Sequence, residues 1–145
     1  MPASLLTLFF LSAFGGGCIA DHRIAFISYK EEGQWINATG RDTTLDAADV
    51  QRTKKLICEA VKAYNKKHTG NFRIQPLHRY YIQCVPYVDS AGHVKVWVQG
   101  SAGKPNGEAW KKQIMMIMDG GNSVFSLEVD LTDNIARNIG INGWG

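Results

Sequence analysis

The stretch that decides the fold is residues 110–145, which read WKKQIMMIMDGGNSVFSLEVDLTDNIARNIGINGWG. Apolar and polar side chains alternate over residues 125–131, and a period of two is typical of a strand that buries one face. Two turn signals, DGGN at 119–122 and DLTDN at 130–134, divide the stretch. It therefore predicts three short strands of an antiparallel sheet, the first over residues 111–118.

A single long helix is predicted upstream of this sheet, from Thr43 to about Lys67. Thr43 is followed by Asp46 at the spacing of a capping box, in an acidic variant. Gly70 is predicted to cap the other end, since glycine is common just beyond a helix C-terminus. The residues expected to face the core at helical spacing are Val50, Thr53, Ile57, Ala60, Val61 and Tyr64.

A hairpin is predicted between the helix and the last stretch. Residues 79–88 and 94–99 are rich in branched and aromatic side chains, and a DSAG turn at 89–92 joins them. Pro86 has no backbone N–H, so it must lie at an edge, at a bulge or where no donor is needed. Residues 23–29 are predicted to form a first strand or an extended arm.

This order of elements predicts an α+β fold. One N-terminal helix is expected to pack on a curled antiparallel meander of four to five strands. Phe125, Leu127 and Val129 lie on one face of their strand and are expected to point inward. Their expected partners on the helix are Ile57 and Val61, so the sheet would enclose a filled core rather than a pocket.

The first twenty residues are predicted to be a signal peptide. Residues 5–14 form an apolar run of the right length, too short to span a bilayer, and small residues follow it. Cleavage before Cys18 would leave a cysteine for lipid attachment, whereas cleavage after Ala20 would release the chain without an anchor. One domain over residues 21–145 is expected to remain.

The predicted export and the small net charge limit which partners are expected. An exported chain would reside in the periplasm, at the cell surface or lipid-anchored to a bacterial membrane. The formal charge of +3 on 145 residues is too small to predict a nucleic-acid partner. Basic residues concentrate on the predicted helix, where they are expected to form a solvated face.

The remaining two cysteines, Cys58 and Cys84, leave two alternatives open. They either form a disulfide that joins the helix to a strand, or they are two small buried residues that never meet. Neither has a neighbouring signature of a catalytic thiol.

No motif for metal binding or catalysis stands out. The histidines have no metal-binding spacing, so neither a metal nor a cofactor is expected. The carboxylates of Glu128 and Asp130 share one face of a predicted strand and are expected to be solvated. A non-catalytic domain is therefore favoured, and enzymatic activity is left open. The four histidines are His22, His68, His78 and His93.

Tryptophans provide one indication of binding. Trp97 is expected on the outer face of the sheet, and Trp110 flanks the loop at 100–109; aromatic residues beside polar ones suit a protein or carbohydrate surface. The alternative is that residues 23–35 cover the outer face. The residues of the predicted surface are Lys95, Trp97, Gln99, Lys104, Asn106 and Trp110.

Four short motifs carry a family resemblance: VWV at 96–98, WKK at 110–112, DGGN at 119–122 and ING at 141–143. With the order of elements over residues 43–145, they resemble a group of small exported Bacteroidetes-type proteins. The resemblance implies a cystatin-like fold and an exported location, and it supplies no catalytic residues.

The function expected from these observations is a non-catalytic binding or interaction module, displayed on a membrane if Cys18 is lipidated. Two alternatives rest on analogy with the fold. One is a protease inhibitor, although residues 96–100 match only part of the Q-x-V-x-G hairpin tip of cystatins. The other is a small-pocket enzyme similar to SnoaL-like proteins.

Overall fold

A computed structural model describes residues 17–143, in which one long helix packs on a six-stranded sheet. A short helix, α1, precedes the long helix, α2. Short 3-10 turns occur between several of these elements. The elements are β1 (Ile24–Phe26), α1 (Tyr29–Glu32), β2 (Gly40–Asp42), α2 (Ala47–Lys66), β3 (Tyr81–Asp89), β4 (Val94–Ser101), β5 (Val124–Asp130) and β6 (Ile135–Ile141).

The sheet is open and mostly antiparallel. β3, β4, β5 and β6 follow one another as an antiparallel meander. β1 pairs with the first half of β3 in parallel, and β2 pairs with the second half in antiparallel orientation. The predicted α+β class is confirmed, but two short strands at one edge raise the strand count of the described chain to six.

The long helix begins later than predicted. Asp46 is the N-cap, and its carboxylate accepts the backbone N–H of Asp49 at 2.8 Å, so the capping box placed at Thr43 is wrong. The helix ends at Lys66, with Lys67 as its C-cap. Gly70 has a positive φ of 55°, but it starts a separate 3-10 turn and caps nothing, contrary to the prediction.

The main core lies between α2 and the inner face of the sheet. Phe125, Leu127 and Val129 belong to the same buried cluster as Ile57 and Val61, which confirms their predicted inward orientation. Each of these side chains removes apolar surface from water, and that burial is the main force that holds the helix on the sheet.

The predicted strand over residues 111–118 is wrong. Residues 110–119, here called the strap, start with a 3-10 turn and then cross the outer face of the sheet without ladder pairing. Side-chain amides supply the hydrogen bonds that a partner strand would make to the backbone of the strap. Gln83 and Gln99 bond to the backbone of Met115, and Asn142 bonds to that of Ile117.

A second, smaller core lies on the outer face of the sheet. Trp97 and Ile114 pack at its margin. Ile27 and Tyr29 of the predicted arm contribute to it, so the arm covers part of this face, while Ile36 and the strap residue Ile114 cover more of it. Its buried members are Ile27, Ile36, Val85 and Tyr87.

Most of the predicted leader, residues 1–16, lies outside the described residues, as do Trp144 and Gly145. Within residues 17–143, no helix has both the length and the apolar character needed to cross a bilayer.

Candidate ligand cleft

An apolar cleft opens at the edge of the sheet beside the first turn of α2. It encloses about 310 Å³, the lower end of the range in which proteins bind small molecules. Four segments of the chain meet there: the end of β1, the loop between β2 and α2, the first turn of α2, and the middle of β3. The lining residues are Phe26, Ile27, Ser28, Asp42, Thr43, Thr44, Leu45, Val50 and Pro86.

Pro86 explains why the cleft lies at this position. β1 pairs with β3 up to Cys84, and β2 pairs with it from Tyr87 onward. Pro86 lies between the two, in a gap of the edge pairing, and it has no N–H that an edge strand would need to satisfy. The prediction that Pro86 lies where no donor is needed is therefore confirmed. The unpaired stretch of β3 at Pro86 forms the mouth of the cleft.

The cleft combines an apolar wall with a polar rim. Phe26, Leu45 and Val50 are half-buried and supply apolar surface. Ser28 and Asp42 contribute a hydroxyl and a carboxylate at the rim. A site of this composition holds a ligand by apolar burial and orients it through few polar groups.

Asp42 is the only charged residue among the nine described residues that line the cleft. Its carboxylate accepts the backbone N–H of Lys30 at 3.1 Å and lies 3.5 Å from the Ser28 hydroxyl. Within residues 17–143 it forms no ion pair. The carboxylate is thus held in place by neutral donors and keeps the capacity to accept another.

A larger and more open depression of about 590 Å³ shares Asp42 with the cleft. It lies over residues 29–42, and the Tyr29 hydroxyl fixes its shape by accepting the N–H of Gly40 and donating to the carbonyl of Ala38. Its surface is mostly polar, and Lys30 lines it together with Asp42. The smaller cleft is therefore the better candidate for an apolar ligand.

A separate ionic cluster joins the ends of β4, β5 and β6. The buried carboxylate of Asp130, 1% exposed, lies 3.0 Å from the His93 ring Nδ1 and 3.2 Å from the Arg137 guanidinium. Burial would raise the pKa of Asp130, but hydrogen bonds from His93, from the Asp133 backbone and from Arg137 lower it. The hydrogen bond to Asp130 raises the pKa of His93.

This cluster is better suited to stability than to metal binding. One ligand atom each from His93, Asp130 and Asp133 lies within 4.8 Å of the others. However, the Arg137 guanidinium already bonds both carboxylates, at 3.2 and 3.3 Å, and so occupies the place of a cation. The expectation that Asp130 is solvated is wrong, because both its charge and its burial are compensated inside the protein.

Glu128 belongs to a neighbouring network rather than to solvent. It accepts a hydrogen bond from the Tyr87 hydroxyl at 2.9 Å and lies 3.4 Å from the Lys95 ammonium. Lys95 also pairs with Asp89 at 3.1 Å, and this bond raises its pKa. Burial and the bond to Glu128 raise the pKa of Tyr87. These contacts link β3, β4 and β5, and the Lys95 ammonium is shared between two carboxylates.

The residues of the predicted binding surface fall into three environments. Lys95 is in the network just described, and Trp97 is half-buried against the second core. Gln99 is buried beneath the strap, and Trp110, the first residue of the strap, is buried against the Tyr81 ring, so the expectation that they are exposed is wrong. Lys104 and Asn106 are exposed in the loop after β4, and their role in binding remains a prediction.

Cys58 and Cys84 do not meet, as the second alternative predicts, but Cys58 is not an unpaired residue. Cys58 forms a disulfide with Cys18, with Cα atoms 6.3 Å apart, while Cys84 is free and buried. A bridge between Cys58 and Cys84 is therefore wrong. The sequence prediction places Cys18 in the leader, where a cleaved or lipidated cysteine has no thiol to pair with Cys58.

Sequence reasoning missed the cleft, although one signal pointed to it. Pro86 indicated an interruption in the pairing of its strand, but nothing in the sequence placed Leu45 or Val50 opposite it. The ionic cluster was missed because His93 and Asp130 are 37 residues apart and meet only through the register of β4 and β5.

Comparisons of the chain with protein-family models, with curated proteins and with solved structures found no match. The likeness to small exported Bacteroidetes-type proteins therefore remains a resemblance, and the geometry of the cleft is the basis of the proposed function.

Proposed function

We propose that this protein is an exported, non-catalytic binding domain whose cleft takes a small apolar molecule bearing an ammonium or another N–H donor. The observation that carries the proposal is the apolar cleft at Pro86 with the single carboxylate of Asp42 on its rim. The wall supports burial of an alkyl or aryl group, and the carboxylate supports recognition of a positively charged or donor group.

The composition of the cleft favours binding over catalysis. General acid–base chemistry usually needs a second titratable group placed opposite the first. Of the described lining residues, Asp42 alone has an acidic or basic side chain, and the other polar residues are Ser28 and two threonines. A protease inhibitor and a small-pocket enzyme remain alternative predictions, with no contact in the cleft that favours either.

The Cys18–Cys58 disulfide supports the exported part of the proposal. Disulfides persist in the periplasm and outside the cell, whereas cytosolic thiols are kept reduced. The apolar run in residues 5–14 supports the same location from the sequence.

The experiment that tests the ligand class is a titration of the ¹⁵N-labelled protein with three probes of equal chain length. These are n-hexylamine, n-hexanol and hexanoate, at neutral pH. We expect n-hexylamine to bind most tightly and hexanoate most weakly, with amide shifts at the end of β1, in the loop after β2 and in the first turn of α2. Equal affinities for the three probes would contradict the role of the carboxylate.

Two substitutions make the test specific. Asp42→Asn should weaken n-hexylamine about two- to fivefold, the usual strength of an exposed ion pair, and should leave n-hexanol unchanged. Asp119→Asn removes an exposed carboxylate that lies outside the cleft and is the matched control. Val50→Phe should fill the cleft and weaken n-hexylamine and n-hexanol alike. Unchanged affinities in Val50→Phe would place binding elsewhere.

A further inference from the structure

The N-terminal residues 18–23 are anchored to the domain at four points. Each anchor is of a different chemical kind, and together they span the whole segment. The anchors are the Cys18–Cys58 disulfide, the buried side chain of Ile19, the ion pair between Asp21 and Lys54, and the Arg23 guanidinium 4.3 Å from the centre of the Tyr81 ring.

Ile19 belongs to the main core. Its side chain is 4% exposed and is part of the same buried cluster as Ile57 and Phe125. A chain that began at Asp21 would leave the space of this side chain empty, which is costly in a packed interior.

Lys54 depends on the same segment. It is on α2 with its side chain 8% exposed, and Asp21 is its carboxylate partner within residues 17–143. The bond with Lys54 also lowers the pKa of Asp21. A buried ammonium needs such a partner, so the position of Asp21 has to be fixed by the residues before it.

The single sulfur of Cys18 can form only one of two covalent bonds. Lipid attachment would bond that sulfur to a diacylglyceryl carbon, and the disulfide bonds it to the sulfur of Cys58. The two modifications therefore exclude each other. Cleavage after Ala20 would remove Cys18 altogether and leave Cys58 without its partner.

We propose that the leader is removed on the N-terminal side of Cys18 and that Cys18 matures as a disulfide rather than as a lipid anchor. The proposal rests on the exported location in the proposed function and not on the ligand. In the oxidation step, the thiols of Cys18 and Cys58 lose two protons and two electrons and form the S–S bond. A dithiol–disulfide oxidant of the exporting compartment accepts them as its own disulfide is reduced.

The test is the intact mass of the protein recovered from a bacterial host that expresses the full chain from Met1. The expected mass is that of an unacylated chain that starts at or just before Cys18, lighter than its reduced form by two hydrogen atoms. Peptide mapping should recover Cys18 joined to Cys58. The variant Cys84→Ser is the control and should keep the disulfide, whereas Cys58→Ser should leave Cys18 as a free thiol.

Three results would overturn the inference. A diacylglyceryl group on Cys18 would show export with lipidation, and a chain that starts at Asp21 would show export with the later cleavage. In both cases the exported location would stand, and the proposed maturation would not. A chain with its leader intact and its thiols reduced would contradict the exported location as well. None of these outcomes bears on the ligand titration, so the two proposals fail separately.

Discussion

The amide oxygen of Gln83 accepts the backbone N–H of Met115 at 2.9 Å. The amide nitrogen of the same side chain donates to the carbonyls of Trp110 and Gln113 at 2.6 and 2.7 Å. Gln83 is fully buried, so one side chain satisfies three backbone groups that would otherwise belong to a strand ladder. The strap is therefore held on the sheet by side-chain amides, and its position depends on them.

Replacement of this amide should loosen the strap. Gln83→Leu keeps most of the volume but leaves two carbonyls and one N–H without partners, so the free energy of unfolding should fall by about 2–4 kcal/mol. Urea unfolding measures the change, and hydrogen exchange at Met115 should accelerate.

Gln113→Leu is the matched control for this substitution. The Gln113 side chain is exposed, so the same chemical change should alter stability by less than about 0.5 kcal/mol. Equal losses in the two variants would mean that the bonds of Gln83 do not hold the strap.

The strap also shows where prediction from sequence stops. The apolar residues at 114–118 match the composition of a strand, and the prediction failed because composition does not reveal the bonding partner. β5 and the β3–β4 hairpin were predicted correctly, because alternation over the whole strand and a turn signal beside it agree. Gln83 was visible only as a polar residue inside a strand.

Gly100 lies where the sheet leaves no room for a side chain. It pairs with Phe125 on the neighbouring strand, and a Cβ at this position would collide with the Phe125 ring. Gly100→Ala should therefore lower the free energy of unfolding by about 1–3 kcal/mol. Thermal unfolding measures the loss. Gly103→Ala, where the nearest atom would lie 3.9 Å away, should be nearly neutral.

The bond between His93 and Asp130 should make stability depend on pH. The pKa of His93 is raised above 6.5, first by this hydrogen bond and further by the charges of Asp130, Asp133 and Asp89, against burial. Arg137 also faces the cluster and opposes the imidazolium. The stabilisation is complete below pH 6.5 and is lost as the pH rises through the raised pKa. The free energy of unfolding should fall across that interval.

The fall in stability above pH 6.5 should be absent in the variant His93→Gln. It should remain in His78→Gln, which changes an exposed position. At acidic pH, Asp130 changes stability in the opposite direction. Because its pKa is lowered in the folded protein, Asp130 stabilises the fold above pH 3.8, and this stabilisation is lost as the pH falls through the pKa of the folded state. A stability profile that is the same with and without His93 would contradict the role of the bond.

Cysteine reactivity should report the pairing. Burial raises the pKa of the Cys84 thiol, so it should resist iodoacetamide in the folded protein. Denaturant without reductant should expose one thiol per chain, and reductant should add two more. Labelling of Cys18 or Cys58 in the unreduced protein would contradict the disulfide.

Neither the cleft nor the disulfide could be predicted from the sequence, and the physical reason is the same for both. Both join segments that the chain order separates, Pro86 with the first turn of α2 and Cys18 with Cys58. Periodicity gives the buried face of each element, but it does not give the register between a helix and a sheet. The ionic partner of His93 depends on the register of two strands in the same way.

The most direct test of the ligand cleft is the detection of intermolecular nuclear Overhauser effects from bound n-hexylamine. The account predicts contacts from its alkyl protons to the methyl groups of Leu45 and Val50 and to the Phe26 ring, which line the cleft. Asp42→Asn should weaken these contacts without moving them. Contacts to Met116 and Met118 instead, which are 62% and 91% exposed on the strap, would contradict the assignment of the cleft as the binding site.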